Sequence, residues 1–211
     1  MNNESNGHVE ERRKMISEAF HTLNQPLTGL HCGLEIALQK PRSEGEYRKR
    51  IGDGIENAGA ILKLVKAVRQ LVDSADPGER FGTLDLSLVM SQLKTELEVV
   101  AEATNVGLEV NYSPNARVQA DPGKLLAALG GLAAARIEDY EPGGAIRIDV
   151  NPQREMITIA VDGSGAHKDS QNTAEKLRDI RRDAALSYLW TIGGTCEITS
   201  DGWEIKLPAV K

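Results

Sequence analysis

The sequence predicts an α+β chain in two parts: an N-terminal helical hairpin that pairs into a dimeric four-helix bundle, then a two-layer α/β sandwich. Two observations carry this. Up to about Ser74, apolar residues recur at alternating steps of four and three, the seam of packed helices, with one break at "KPRSEGEY". Beyond "DSADPGER" that period gives way to short alternating stretches interleaved with helical runs, the pattern of helices laid on a sheet.

Residues 1–9, "MNNESNGHV", have little to bury and are expected to fray. The first helix is expected from about Glu10 to Lys40, its seam formed by Ile16, Phe20, Leu23, Leu27, Leu30, Leu34 and Ala37. Pro41 and Gly45 break it. A second helix to about Ser74 repeats the seam with Ile51, Ile55, Ala58, Leu62, Val65, Val68 and Val72. The hairpin, residues 10–76, has arms of roughly 45 Å at 1.5 Å per residue. One hairpin cannot cover two apolar seams, so a homodimer is expected.

In residues 77–211, "FGTLDL", "VGLEVNYS", "ARVQAD", "AIRIDV" and "MITIAVDG" read as strands, and "SLVMSQLKTELEVVAEA" reads as a helix. Asp121 caps a second helix with Pro122 at its first position. A third, "TAEKLRDIRRDAALSYLWTIGG", stops at Gly193-Gly194. The chain closes in a hairpin turning at Asp201-Gly202. Trp190 and Trp203 are expected to pack the core.

The net charge of −6 and pI near 5.3 argue against a nucleic-acid carrier. The longest apolar run, Leu125 to Ala135, is far short of the roughly 20 residues that span a bilayer. No basic start precedes an apolar segment, so a cytoplasmic protein is expected. Cys32 and Cys196 lack metal-ligand spacing and read as buried free thiols. His8, His31 and His167 read as surface or packing residues, so no metal is expected. Arg178, Arg181 and Arg182 read as a solvated basic face.

One stretch of the first helix is unusual. "FHTLNQPLTGL" sets polar residues and Pro26 into the seam, and His21 falls just outside it, with Gln25 and Thr28 four and seven residues on along the same face. A solvent-facing imidazole is largely neutral and nucleophilic near neutral pH.

This element, in a dimerising hairpin followed by the α/β order above, resembles the H box of the transmitter region of bacterial sensor histidine kinases. The resemblance covers nearly the whole chain from about Glu10 and implies a second part of the histidine-kinase ATPase type. It also implies that His21 is the phospho-acceptor and that Pro26 bends the helix beyond it. "DPGKLLAALGGLAAAR" lines up with the family's magnesium-binding segment, but Gly131 and Ala135 stand where its asparagines would, without an oxygen ligand to offer. "VDGSGA" resembles the D-x-G-x-G box and keeps Asp162 as a degenerate base-binding residue, with the interval one residue short. The usual ATP lid has too few residues, and "RRDAAL" replaces the glycine-rich phosphate cradle. Thr22 stands where active kinases place an acidic base beside the histidine.

The expectation is a histidine phosphotransfer protein of a two-component phosphorelay, resembling bacterial phosphotransferases built from a kinase-like hairpin and a degenerate ATP-binding-like domain. It exchanges phosphoryl groups with response-regulator receiver domains and needs no cofactor, nucleic acid or membrane. Gln25 would orient water or line the receiver's site, or serve as polar filler before Pro26; Lys14, Asn24 and Thr28 would meet the receiver. An active sensor kinase with a divergent nucleotide site and a non-catalytic receiver- or kinase-binding module are the alternatives.

Overall fold

The computed structural model describes residues 2–39, 41, 43–114, 116–167, 172–198 and 202–210, the side chains of 2–6 and 172–175 excepted. The chain divides into two units, residues 1–72 and 73–211.

The first unit consists of α1 (Asn2–Leu38) and α2 (Glu44–Asp73). α1 begins at Asn2, not near Glu10, so the segment expected to fray continues the helix. It also runs unbroken through Pro26. Gly45 lies inside the first turn of α2, and the helix start is set instead by a capping box. There the Ser43 N–H and hydroxyl both donate to the Glu46 carboxylate at 2.9 Å, and the Glu46 N–H donates back to the Ser43 hydroxyl at 3.3 Å.

The hairpin buries part of its predicted seam together with a flanking stripe: Val68 is buried, and Ile16, Leu23, Leu30, Ala37 and Ala58 are half-buried. Buried positions are Met15 and Ala19 on α1 and Leu64, Ala67, Val68 and Leu71 on α2. The Leu30 side chain reaches within 3.5 Å of the Cβ position of Gly54. Antiparallel helices advance equally, so that level brings Met15 and Ala19 alongside the Leu64–Leu71 stretch. The seam residues Phe20, Leu27, Leu34, Ile51, Ile55, Leu62, Val65 and Val72 are exposed, Ile55 and Leu62 by 68% and 71%.

The second unit carries a five-stranded sheet of order β2-β4-β5-β7-β6, from β2 (Gly107–Tyr112), β4 (Ala145–Pro152), β5 (Met156–Ser164), β6 (Thr195–Ile198) and β7 (Gly202–Pro208). β2 and β4 are parallel and the other pairs antiparallel. β1 (Gly82–Asp85) and β3 (Arg117–Ala120) form a separate antiparallel pair. The helices are α3 (Leu86–Thr104), α4 (Pro122–Glu138) and α5 (Asn172–Thr191). Alternation buries Ile146, Ile148 and Val150 of β4, Ile157, Ile159 and Val161 of β5, and Ile205 and Leu207 of β7. They join Leu93, Leu97, Leu125, Leu129, Leu132 and Leu189 of the helices in one core, with Trp203 packed against it. The intervening strand positions face outward, which makes the two-layer sandwich.

Asp121 caps α4 as its sequence indicates. The carboxylate accepts the N–H groups of Gly123 at 2.9 Å, Lys124 at 3.1 Å and Arg80 at 3.0 Å. Burial pushes this carboxyl up, but the N–H groups of Lys124, Arg80 and Gly123 outweigh it and hold it below the usual aspartate value. Gly78, at φ +107°, passes so close that a Cβ there would meet the Asp121 carboxylate at 2.8 Å. α5 ends at Thr191 with the N–H of Gly194 donating to the Leu189 carbonyl at 2.8 Å and Gly193 at φ +78°, the glycine stop read from sequence. Of the expected Asp201-Gly202 turn, Gly202 opens β7 and Asp201 lies outside the described residues.

Candidate functional site

On α1, positions 14, 21, 25 and 28 recur at helical spacing, and Lys14, His21, Gln25 and Thr28 are all exposed, as is Asn24. Among the described residues nothing hydrogen-bonds to the His21 ring. The half-buried Thr22 donates its hydroxyl to the Glu18 carbonyl at 3.0 Å, and Thr28 does the same to the Asn24 carbonyl at 2.8 Å. Pro26 has no N–H to offer the Thr22 carbonyl, so one helical bond is missing just beyond the histidine. A hydroxyl committed as a donor to backbone does not serve as a base. The His21 face thus presents one open nucleophile flanked by polar groups.

In the second unit, the segment resembling a nucleotide-binding box has an unexpected geometry. Val161 is buried, and Asp162, next along the strand, is exposed on the outward face. It lines a cleft of about 490 Å³ with Glu109, Arg147 and Asp149. Arg147 Nε donates to Glu109 at 3.0 Å, and the Asn111 amide bridges Glu109 and Asp149 at 3.0 Å each. Hydrogen bonding from Asn111, then from Arg147, holds the Glu109 carboxyl below its ordinary value.

The position facing the helix layer is Gly163, and its missing side chain is replaced by Tyr140. A Cβ at Gly163 would stand 2.7 Å from the Tyr140 Cζ, and one at Gly144 would stand 2.8 Å from the Tyr140 Cβ. Gly165, at φ +127°, closes the same slot. Tyr140 is 1% exposed. The His167 ring lies 4.6 Å from it centroid to centroid, and the Arg136 guanidinium carbon is 5.1 Å from its centre. Asp139, next to Tyr140, is ion-paired with Arg178. The arginines of α5 are therefore not a simple solvated face: Arg178 is 16% exposed, and Arg182 lies 2.9 Å from Asp179 and 3.6 Å from Asp183.

Ala135 is buried within α4 and Gly131 partly so. Residues 181–186, "RRDAAL", lie in the interior of α5, where backbone N–H groups are spent on the helix's own bonds. β5 ends at Ser164 and α5 begins at Asn172.

Sequence reasoning passed over Tyr140. A lone tyrosine carries no motif, and the signal available was two loops, "EPGGA" and "DGSGA", each carrying glycines. Two further readings need correction. Cys32 is exposed, not buried, and Cys196 is half-buried, its thiol pushed up to about 11 by burial and by Glu197. His31 is a surface residue, as its sequence indicates, with Cys32 beside it and Glu35 one turn on. No described helix is long and apolar enough to cross a membrane.

In sequence and in fold the chain matches the transmitter region of sensor histidine kinases. Among curated proteins, it is 27% identical over 151 residues to the sensor protein IrlS of Burkholderia pseudomallei, covering 71% of this chain and 32% of that protein. It is 23% identical over 163 residues to the sensor protein VanSB of Enterococcus faecalis, covering 76% and 36%. The chain thus spans about a third of the length of these relatives. Among solved structures it superposes on the Acinetobacter baumannii histidine kinase AdeS with a TM-score of 0.63 at 16% identity, over 90% of this chain and 98% of that one. On the histidine kinase ThkA, solved in complex with the response regulator protein TrrA, the TM-score is 0.67 at 16% identity, over 100% of this chain and 67% of that one. No protein-family model matches.

Proposed function

We propose that this chain is a dimeric histidine phosphotransfer protein of a two-component phosphorelay, exchanging a phosphoryl group between His21 and receiver-domain aspartates without ATP. The observation that carries this reading is Tyr140. Its buried ring fills the glycine-lined slot at the segment where the resembling family holds its nucleotide base. Gly131 and Ala135 add no ligand for magnesium, and residues 181–186 add no free N–H groups for phosphates. Residues 10–76 would then be the dimerisation and phosphotransfer hairpin, and 77–211 a degenerate ATP-binding-like domain that widens the receiver's docking surface.

Phosphoryl transfer of this kind needs mainly alignment. The imidazole nitrogen attacks phosphorus, a P–N bond forms, the acyl P–O bond breaks and the receiver's carboxylate leaves. Its magnesium belongs to the receiver. Exposure of His21 permits the in-line approach, Lys14, Asn24 and Thr28 offer docking contacts, and Gln25 lies one turn from the phosphorylated ring to orient water or line the receiver's site. ThkA, solved with a response regulator, supports a partner of that class. The exposed seam of Phe20, Leu27, Leu34, Ile51, Ile55, Leu62 and Val65 supports homodimerisation.

The sensor proteins among the relatives favour a second reading, an active sensor kinase with a divergent nucleotide site. Incubating the chain separately with labelled Mg-ATP and with labelled phospho-receivers decides between them. Label is expected on wild type from a receiver only, and none on His21→Ala or His21→Gln. Labelling of His21 by Mg-ATP establishes the kinase. Absence of labelling from any receiver of the same cell leaves a non-catalytic binding module.

A further inference from the structure

Three unlike metal-ligating side chains meet near the end of α1. His31, Cys32 and Glu35 are all exposed, and their ligating atoms lie within 4.8 Å of one another. His31 Nδ1 stands 3.6 Å from Glu35 Oε2. A tetrahedral Zn²⁺ with nitrogen, sulfur and oxygen ligands at about 2.0–2.3 Å sets those atoms roughly 3.3–3.8 Å apart. The imidazole–carboxylate edge already has that length. Rotamer adjustment of exposed side chains closes the others with about 1 Å of movement.

An ordinary histidine–glutamate pair one turn apart accounts for two of the three groups, and Cys32 is the one it leaves over. Thiolate and imidazole together select zinc-like metals over magnesium or calcium, which prefer oxygen.

The geometry points to a divalent transition-metal site of the Zn²⁺ class on α1, held by His31, Cys32 and Glu35 with the fourth position open to water. Binding converts the Cys32 thiol to thiolate and releases its proton to solvent. The site lies about three helical turns beyond His21 on the same side of the helix, and it stands independently of the phosphotransfer reading.

Cobalt titration of the full chain tests it, because Co²⁺ replaces Zn²⁺ and reports its ligands optically. Saturation at one Co²⁺ per chain is expected, with tetrahedral d–d bands and a thiolate-to-cobalt charge-transfer band that Zn²⁺ bleaches. Cys32→Ser should lose the charge-transfer band, His31→Ala should weaken binding by roughly tenfold or more, and Cys196→Ser should change neither. Circular dichroism confirms that each variant stays folded. A wild type without the charge-transfer band, or a Cys32→Ser variant that keeps it, overturns the site.

Discussion

The two units manage apolar surface in opposite ways. The α/β unit closes on itself: alternate residues of β4, β5 and β7 and one face of each helix meet in a single core, and Leu86, Leu125, Leu132 and Leu189 are 0% exposed. The hairpin keeps a short buried stripe at Met15, Ala19 and Leu64–Leu71 and leaves much of its apolar seam in solvent. A unit that buries what it has is stable by itself, whereas one that exposes a seam is shaped for another surface. On the dimeric reading, stability in the first is a property of one chain and in the second it depends on concentration.

The largest expected effect comes from cutting the closed core. Leu93→Ala should cost about 2–5 kcal/mol in urea unfolding, the same at every protein concentration. Leu62→Ala, on the exposed seam, should leave the unfolding of the α/β unit unchanged and shift the monomer–dimer midpoint in sedimentation to higher concentration. Equal effects of the two substitutions at all concentrations would break the contrast. Leu27→Asp sharpens it further, and a light-scattering mass of one chain at micromolar concentration is expected.

Next in size is the slot around Tyr140. Gly163→Ala forces a methyl group against a buried ring that cannot move aside and should cost about 1–3 kcal/mol. Tyr140→Ala removes the clash, so the double variant should lose less than the sum of the two single ones, which a double-mutant cycle measures.

Asp121→Ala should cost about 0.5–2 kcal/mol as a lost helix cap. The Asp121 carboxyl sits below its ordinary value in the folded chain, so its contribution is fully present above the unfolded aspartate value of about 3.9. It is lost as pH falls through the lower folded value. Wild type should therefore lose stability across that acid window, and Asp121→Ala should lose less. The smallest effect is expected at Glu109→Gln on the open sheet face: no resolvable change in the urea midpoint, because the Arg147 pair there is solvent-screened.

What the sequence showed and what it hid divide along physical lines. Element order was legible because helical and strand periodicities differ, and the α4 cap was legible because Asp121-Pro122 is a local signal. The seam was also legible, but not its partner: a 4–3 spacing says that a face needs cover without saying from which chain. Met15 and Ala19 lie beside the seam residues and were passed over for that reason. Tyr140 stayed hidden because Gly144, Gly163 and Gly165 reach it only through folding. His31, Cys32 and Glu35 stand at i, i+1 and i+4 of one predicted helix, a spacing open to view in the sequence but with no second ligand pair to mark it.

The Tyr140 ring is tethered to its slot, and a tethered occupant acts at an effective concentration in the millimolar range or above. On the phosphotransfer reading, adenine would have to displace this ring to bind. On that reading, the traffic through His21 is therefore set by the phosphorylation state of the partners alone and is insulated from energy charge. On the same reading, adenine-mimicking inhibitors that silence a sensor kinase upstream are expected to leave phosphotransfer through this chain unchanged.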